Sequence, residues 1–590
     1  MSDTTIGDAV LPAPVGLPFC AGEDAVGPLT WAQSVMWGPM QWFGKEANQF
    51  NIPLTLPLPE PVEQARLLAA LRDLVETHQT LRTRYLERAG QPQQWVVKSG
   101  SYAVTVADDR ADPVRAGDEL TARLAETAFD HESEWPLRVG CVVDRDRRVT
   151  AVALVGSHLA FDGWSFQTLR DLLLGQLTAV AERAPQPGVP ASDGGTPQPL
   201  EQAAFQQSAA GRQQSQLGLR HWEQALSAAP ASMFDLPRAQ TGDQPIERHL
   251  LDSAAVTVAA AALAARTRTS FSTVLLCLTT IILTAYNGHD TAAIKVIVGN
   301  RLDRRSRDLI ALNTLNALLT FTVPDVDLLT AIRQLHRPAF DAYRRAECDP
   351  AAVRRVVEET RRRRGVSFDL STYFNNGHRG SDWAPTNPDP GPTRLAELRR
   401  HSRYSRLDPL SKSDMKFMVA ASNQGDGLCR LGLLVDTAYL PGPLGETIVR
   451  GIETLLCDAV TGEVRVSEVA ARIGLAPARR GPDWVRTPAG WVRPDDVAEL
   501  VRQAAGGAET AVFAHPPAGP SDAGELTAYV VGPAVSPQAL HERVLDLLPG
   551  RTGVAAPAEY VICAAPPHSG SGPDAWRAVP ATERGSGRPA

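Results

Sequence analysis

The chain has 590 residues, of which 43% are hydrophobic and 21% are charged, a composition typical of a large globular protein with several packed units. Its formal net charge is -7, so no overall basic field favours binding to nucleic acid. The seven cysteines are scattered without a CxxC pair or a Cys/His cluster, which argues against zinc and other metal sites and is typical of a reducing compartment.

The sequence shows no sign of export or of a membrane span. The first residues, MSDTTIGDAV, lack the basic and then apolar segments of a signal peptide. The longest apolar stretch, residues 271–286, is shorter than the ~20 residues that a membrane span needs, and threonines interrupt it. We therefore expect a core helix there, no membrane partner and a cytoplasmic location.

The first part of the chain predicts a mixture of helices and strands. Apolar residues at helical spacing predict helices at residues 29–43 and 61–87. Strands are predicted at residues 93–98 and 102–107. Residues 137–159 are predicted to form two strands joined by a charged hairpin at Asp144 to Arg148. The second of these strands ends on Ser157 and His158.

The rest of the chain predicts two further α/β regions. Residues 183–199 are rich in Pro, Gly and Ser, which is typical of a linker. A polar helix (203–226), a core helix (271–286) and strands (292–301, 415–422 and 429–436) follow it. After a loop-like stretch, residues 491–580 have the order helix, strand, strand, helix, strand. The predicted divisions are a lobe (1–182), a linker (183–200), a second lobe (201–475), a linker (476–490), a small α/β domain (491–580) and a disordered tail (581–590).

The stretch ALVGSHLAFDGWS, residues 153–165, carries the strongest candidate chemistry. Imidazole moves protons near neutral pH, so a histidine at the end of a strand is a candidate general base. A single histidine beside an apolar strand also fits a purely structural role. Ser157 is a poor candidate for a hydrolase nucleophile, because VGSHLA lacks the second glycine of a GxSxG elbow.

Several stretches together resemble the condensation domains of nonribosomal peptide synthetases. Residues 157–163, SHLAFDG, resemble their HHxxxDG motif. LTWAQSVMW and THQTLRTRY resemble two earlier motifs through Ala32, Gln33, Met36 and Trp37 and through His78, Leu81, Arg82, Thr83 and Tyr85. IVGNR with LIALNTLNALL, and SKSDMKFMV, resemble two later segments, at residues 297–319 and 411–419.

The resemblance implies an α/β (α+β) fold with two chloramphenicol-acetyltransferase-like lobes in a V shape, followed here by the small C-terminal domain. It also implies that His158 accepts or positions a proton while an amine attacks a carrier-bound thioester. Asp162 is expected to pair with Arg301 and so hold the turn, and Gly163 is expected to permit that turn. Ser157 replaces the first histidine of the family motif, a position that is mainly structural in the family.

Residues 490–580 faintly resemble the small C-terminal subdomain of adenylation enzymes. In that alignment Pro573 occupies the catalytic lysine position, and no lysine follows Lys416, so a degenerate structural or docking module is expected rather than ATP chemistry. No GGxS-type site for phosphopantetheine is present, so carrier proteins are expected to act in trans. The basic runs at 360–365 and 398–406 fit solvated faces or, alternatively, surfaces that attract acidic carriers.

The sequence therefore predicts a free-standing, amide-forming acyltransferase of secondary metabolism. It would need no intrinsic cofactor and no metal, and the phosphopantetheine arm of a peptidyl or acyl carrier protein would be its substrate handle. The acceptor could be a small free amine. Two alternatives stay open: a non-catalytic module that binds carriers or recruits a tailoring enzyme, and an ester-forming variant with an alcohol acceptor.

Overall fold

The computed structural model describes residues 14–108, 112–178, 197–301, 304–377, 390–424, 427–515, 524–532 and 536–588. The described chain divides into two compact units. The first comprises described residues within 1–215, 299–315 and 347–350, and the second those within 216–298, 316–346 and 351–590. The predicted linker at 183–200 lies almost wholly outside the described residues.

The described residues contain both helices and strands in every part of the chain. The helices are α1 (Trp31–Phe43), α2 (Gln64–Thr77), α3 (Pro113–Ala125), α4 (Gly163–Thr178), α5 (Pro199–Gln207), α6 (Ala209–Ala228), α7 (Ala254–Thr267), α8 (Phe271–Asn287), α9 (Arg304–Arg307), α10 (Leu328–Arg344), α11 (Pro350–Arg364), α12 (Pro392–Arg400), α13 (Pro443–Thr461), α14 (Val469–Ile473), α15 (Pro494–Ala504), α16 (Pro537–Leu547) and α17 (Pro573–Arg577). The strands are β1 (Val15–Cys20), β2 (Ala25–Pro28), β3 (Asn51–Glu63), β4 (Thr83–Arg88), β5 (Gln91–Val96), β6 (Ser99–Asp108), β7 (Leu137–Val143), β8 (Arg148–Ser157), β9 (Ile246–Ser253), β10 (Thr291–Val298), β11 (Leu315–Thr322), β12 (Thr372–Asn376), β13 (Arg403–Leu410), β14 (Phe417–Asn423), β15 (Cys429–Asp436), β16 (Val485–Thr487), β17 (Gly490–Val492), β18 (Thr510–His515), β19 (Glu525–Val531), β20 (Glu559–Cys563) and β21 (Ala581–Gly585).

The first unit is built on a five-stranded sheet in the order β1-β6-β7-β8-β3. Strand β8 is buried from Val149 to Ser157, because both faces of the sheet are covered. Its alternate residues Val152 and Leu154 belong to the main core, which includes side chains of α2 and α4. Ala151 and Ala153 point to the other face, where they pack with Leu120 of α3. The apolar run before His158 is thus a fully buried strand.

The second unit contains three separate sheets. The largest has seven strands in the order β11-β10-β12-β14-β15-β9-β13, and α8, the predicted core helix, is buried against it along almost its whole length. Strands β16 and β17 form a short hairpin at the end of the predicted linker 476–490. The C-terminal region forms a four-stranded sheet in the order β18-β19-β20-β21, with its own apolar core against α15 and α16.

Two predicted helices are shorter than the sequence pattern indicated. The helix expected at 61–87 ends at Thr77, because His78 has an extended backbone and residues Thr83–Arg88 pair with β5 instead. The polar helix expected at 203–226 is broken at Ser208, whose backbone is extended. A Cβ on Gly211 would lie 2.3 Å from the carbonyl oxygen of Phe205, so this break also depends on glycine.

The disordered tail predicted at 581–590 is wrong for its first half. Residues Ala581–Gly585 form β21, which pairs antiparallel with β20, and residues 589–590 lie outside the described residues. An edge strand has unpaired backbone hydrogen-bonding groups, and β21 satisfies those of β20 although its sequence, ATERG, is mostly polar. Local composition could not reveal that pairing.

Among the described residues, no single helix is both long and apolar enough to cross a bilayer. Helices α7 and α8 taken together meet the length and composition criteria, but they are bent by 100° at the break between them.

Candidate active site

The predicted motif forms a tight turn at the end of β8 in the first unit. The Ser157 N–H donates to the carbonyl oxygen of Pro136, which continues the sheet to the last residue of the strand. The N–H groups of Ala160 and Phe161 then both donate to the carbonyl oxygen of Ser157. These bonds reverse the chain within four residues and leave His158 at the head of the turn.

His158 is half-buried, and its imidazole is oriented by the turn that it begins. Its Nδ1 lies 2.6 Å from the carbonyl oxygen of Phe161. Because a carbonyl oxygen only accepts, Nδ1 carries the proton of this hydrogen bond. The neutral ring then has its lone pair on Nε2, which is the nitrogen that can take a proton from a reacting group.

Ser157 supports the same turn from the buried side. Its Oγ accepts a hydrogen bond from the N–H of Leu159 and shares a 2.7 Å hydrogen bond with Nε2 of His131. His131 stacks on Phe129. The Ser157 side chain is only 1% exposed, so its hydroxyl fits a structural role and not that of a nucleophile open to substrate. Sequence reasoning missed His131, which lies in an irregular segment without a motif.

Protonation of His131 is expected to destabilise the protein. Burial lowers its pKa from 6.5 to about 4; the nearby Asp130 carboxylate opposes this shift, and the Arg138 guanidinium adds to it. The unfolded chain therefore binds this proton more readily, and the stability gained from the neutral ring is complete above pH ~6.5 and lost as the pH falls toward ~4. The shift corresponds to about 3 kcal/mol at most. His131→Gln should weaken the fall in urea midpoint between pH 7 and pH 4.

Burial also lowers the pKa of His78 to about 4, and His78 is present in both the wild type and His131→Gln. It contributes in the same direction to each, so the difference between the two pH profiles isolates His131. Parallel profiles for wild type and His131→Gln would contradict this assignment.

Asp162 and Arg301 form a buried ion pair within the first unit. Nη2 of Arg301 lies 2.9 Å from Oδ1 and 3.0 Å from Oδ2 of Asp162, and the two side chains are 2% and 5% exposed. Burial alone would raise the pKa of Asp162. Arg301 and the N–H groups of Ser165 and Asn313 outweigh it and hold that pKa below its usual value. The carboxylate is therefore an anion with a structural role.

The same carboxylate joins the turn to α4 and to residues 299–315. Oδ1 accepts from the N–H of Ser165 at 2.8 Å, which caps the first turn of α4. Oδ2 accepts from the Asn313 N–H at 3.0 Å and from the Thr314 hydroxyl at 3.2 Å. Asn313 and Thr314 lie within the LNT part of a segment that carried the family resemblance, although sequence reasoning gave them no role.

Gly163 does not have the conformational role that the sequence predicted. It is the first residue of α4, and its φ is outside the positive range that favours glycine. A Cβ at this position would meet no atom of the described residues within 4 Å. The turn is instead formed by the hydrogen bonds to the Ser157 carbonyl oxygen, and the Asp162 carboxylate caps the helix that follows. Neither of these interactions requires glycine at position 163.

In the part of the chain that the structure describes, no group of three or more His, Cys, Asp or Glu side chains is arranged to hold a metal ion. The seven cysteines all lie within the described residues and form no disulfide with one another, and Cys20 alone is exposed.

Comparison with known proteins assigns the family. Residues 24–381, more than half of the chain, match the condensation domain family. Phosphinothricin tripeptide synthetase PhsC of Streptomyces viridochromogenes is 27% identical over 393 residues, which cover 63% of this chain and 35% of the synthetase. The probable non-canonical nonribosomal peptide synthetase CymA of Salinispora arenicola is 35% identical over 159 residues, or 27% of this chain and 2% of CymA. The chain thus spans a minor part of these relatives.

Solved structures agree on the fold. The condensation domain of the Monacolin K polyketide synthase MokA aligns with a TM-score of 0.58 at 14% identity and covers 75% of this chain and all of that domain. SgcC5 from Streptomyces globisporus aligns with a TM-score of 0.55 at 17% identity, covering 74% of this chain and 98% of that one. The fold is therefore the chloramphenicol-acetyltransferase-like, mixed α/β fold of these neighbours, and the chain belongs to the condensation domain family.

Proposed function

We propose that this protein is a condensation enzyme that joins a carrier-bound acyl or aminoacyl thioester to an amine and forms an amide. The observation that carries the proposal is the hydrogen bond from Nδ1 of His158 to the carbonyl oxygen of Phe161, which leaves Nε2 as a proton acceptor. An amine becomes cationic as it attacks a carbonyl, so the reaction needs a group of this kind at the nitrogen.

The proposed reaction has a simple balance of bonds and protons. The amine nitrogen forms a bond to the thioester carbonyl carbon, and Nε2 of His158 receives the proton that the nitrogen loses. The C–S bond then breaks, and the proton passes to the departing thiolate of the phosphopantetheine arm. The products are an amide and a carrier with a free thiol, and no oxidant, metal or nucleotide is consumed.

The buried residues around His158 fit a supporting role in this reaction. Asp162 and Arg301 hold the turn, and Ser157 with His131 fills the side that faces the core. A reacting group held by such a scaffold keeps its orientation, and orientation is a large part of the catalytic gain when two bound reactants meet. Serine at position 157 is compatible with this arrangement, because its hydroxyl accepts from the Leu159 N–H and bonds the His131 ring.

Intact-protein mass spectrometry tests the proposal directly. Carrier proteins loaded with single amino acids or short acyl groups are incubated with the protein and a panel of free amines. We expect the carrier mass to return to that of the free phosphopantetheine thiol only when both the protein and an accepted amine are present. The amide should be found in the same sample.

Other outcomes distinguish the alternatives. A carrier that binds in a pull-down but never loses its acyl group, with any acceptor, would favour a non-catalytic binding module. Release that requires an alcohol in place of an amine would assign an ester-forming enzyme. Release with water alone would point to hydrolysis.

The partners in this proposal are peptidyl or acyl carrier proteins, tested as separate chains, and the expected setting is a cytoplasmic pathway of secondary metabolism. The C-terminal region is proposed to have a structural or docking role and no ATP chemistry. This part of the proposal rests on the faint sequence resemblance to adenylation subdomains, in which Pro573 would correspond to the catalytic lysine. Pro573 is the first residue of the short helix α17 and has no amino group to act as that lysine does.

A further inference from the structure

A cavity of about 270 Å³ lies in the second unit, among elements that the proposed reaction does not use. Its wall combines the end of α11, the turn between β16 and β17, the start of β19, the loop before β20 and the end of the described chain. A water molecule has a share of liquid volume of about 30 Å³, so the cavity has room for a small organic molecule. Its apolar wall includes Ala489, Ala555 and Ala556.

Three arginines line this cavity, and they are not equally neutralised. Nη1 of Arg363 forms a 3.0 Å ion pair with Glu223. Among the described residues, no carboxylate oxygen lies within 4.0 Å of the charged nitrogens of Arg364 or Arg588. Glu525 also lines the cavity, but its side chain is exposed and pairs with neither. Two positive charges thus face the cavity without a carboxylate partner.

Arg364 is held in place by carbonyl groups. Its Nη1 donates to the carbonyl oxygens of Leu226 and Ala229, the latter at 2.6 Å, and its Nη2 donates to that of Pro488 at 2.7 Å. These carbonyl oxygens satisfy hydrogen-bond donors of Arg364, but they do not neutralise its positive charge. Burial, with further influence from Arg588 and Arg363, lowers the pKa of Arg364 to about 10.

Arg588 has fewer protein partners. Nη2 makes a single long contact of 3.5 Å with the carbonyl oxygen of Pro557. Its Nε is buried and has no hydrogen-bond partner in the described part of the chain. A buried donor without a partner costs free energy, and such a group in a native structure commonly marks a missing ligand or water.

We propose that this cavity binds a phosphate monoester with a small organic part. A guanidinium presents a planar set of donors that matches phosphate oxygens, and Arg588 still has an unused donor. Two unneutralised arginines match the charge of about -1.5 to -2 that a phosphate monoester carries at pH 7, whereas a carboxylate supplies only one charge. The alanine side chains would contact the organic part, since the cavity exceeds the size of phosphate alone.

This site shares no residue with the candidate active site, so its test is independent of the proposed function. The probe is glycerol phosphate, added at constant ionic strength and increasing concentration to the 590-residue protein, whose thermal unfolding is then measured. A ligand that binds only the folded state raises the unfolding midpoint with the logarithm of its concentration. We expect such a rise for the wild type, and Arg588→Gln should require at least tenfold more glycerol phosphate for the same rise.

The matched control is Arg502→Gln, which removes an exposed arginine that bonds Glu499 on its own helix α15. It should respond to glycerol phosphate as the wild type does. Arg364→Gln would also remove the hydrogen bonds to three carbonyl groups and so alter the stability of the protein itself. The test therefore uses Arg588→Gln. Broadening of the phosphorus NMR signal of glycerol phosphate by the wild type, and not by Arg588→Gln, provides a readout that does not depend on stability.

Three results would overturn the proposal. The first is a wild-type midpoint that glycerol phosphate raises no more than sodium chloride does at the same ionic strength. The second is an equal response from wild type and Arg588→Gln. The third is an equal rise with propionate at the same concentration, because a carboxylate would then satisfy the cavity as well as a phosphate monoester does.

Discussion

Replacement of His158 by alanine is expected to lower amide formation by about 10²- to 10⁴-fold, the usual contribution of a positioned general base. The physical reason is that Nε2 is the ring nitrogen left free when Nδ1 donates to the carbonyl oxygen of Phe161. The measurement is the rate of acyl loss from a loaded carrier, followed by intact-protein mass spectrometry with an accepted amine.

The exposed His336 of α10 provides the matched control. His336→Ala removes an imidazole of the same chemistry from a surface position, and it should turn over at the wild-type rate. The thermal unfolding of His158→Ala should be compared as well, because the variant also loses the bond to Phe161. If His158→Ala retains the wild-type rate while it remains folded, the proton-accepting role is wrong.

Asp162→Asn is expected to lower the free energy of unfolding by roughly 3–5 kcal/mol, the usual cost of leaving one partner of a buried ion pair uncompensated. Arg301 is held by the carbonyl oxygens of Ser306, Leu309 and Ala311 as well, so it cannot leave the interior easily. Chemical denaturation of wild type and variant measures the difference. The exposed pair Arg147–Asp108 supplies the control, and Asp108→Asn should change stability by less than ~1 kcal/mol.

The pH dependence of this difference has a definite sign. The pKa of Asp162 is lower in the folded protein than in the unfolded chain, where it is about 3.9. Its contribution to stability is therefore complete above about pH 4 and is lost as the pH falls through the folded-state pKa. The wild type and Asp162→Asn should converge in acid. A difference that persisted below both pKa values would show that the charge of Asp162 is not the cause.

Strand β8 and its turn illustrate what could be predicted from the sequence. A continuous apolar run that ends in polar residues is typical of a strand covered on both faces, and β8 is buried from Val149 to Ser157. The strand pairs at 137–157 and 415–436 are confirmed, since the hairpin between β7 and β8 and the pairing of β14 with β15 follow from local patterns. The C-terminal order of helices and strands is also confirmed for the same reason.

Other elements depend on contacts that no local pattern contains. The helical sequence pattern of α2 continues beyond Thr77, but residues 83–88 form a strand, because pairing with β5 stabilises that conformation. Strand β21 has almost no apolar character and exists because β20 offers an open edge. In each case the partner strand is part of the environment that decides the conformation.

In the candidate site, too, some residues could be predicted from the sequence and others depend on tertiary contacts. His158, Asp162 and Arg301 were named because the resemblance to a family supplied residues far apart in sequence, and Arg301 indeed lies against Asp162. Their chemical roles stay predictions. His131 meets Ser157 only because residues 129–136 fold back beside the end of β8, a contact that depends on the tertiary path of the chain. Neither periodicity nor charge marks His131 in the sequence.

Position 163 separates the folding of the turn from the chemistry proposed for His158. Gly163 adjoins Asp162, yet a Cβ there would meet open space and the backbone does not need glycine. Alanine at 163 would thus begin helix α4 at little conformational cost. In the proposed reaction, the side-chain size that position 163 tolerates would then measure the room that the reactants need beside the turn.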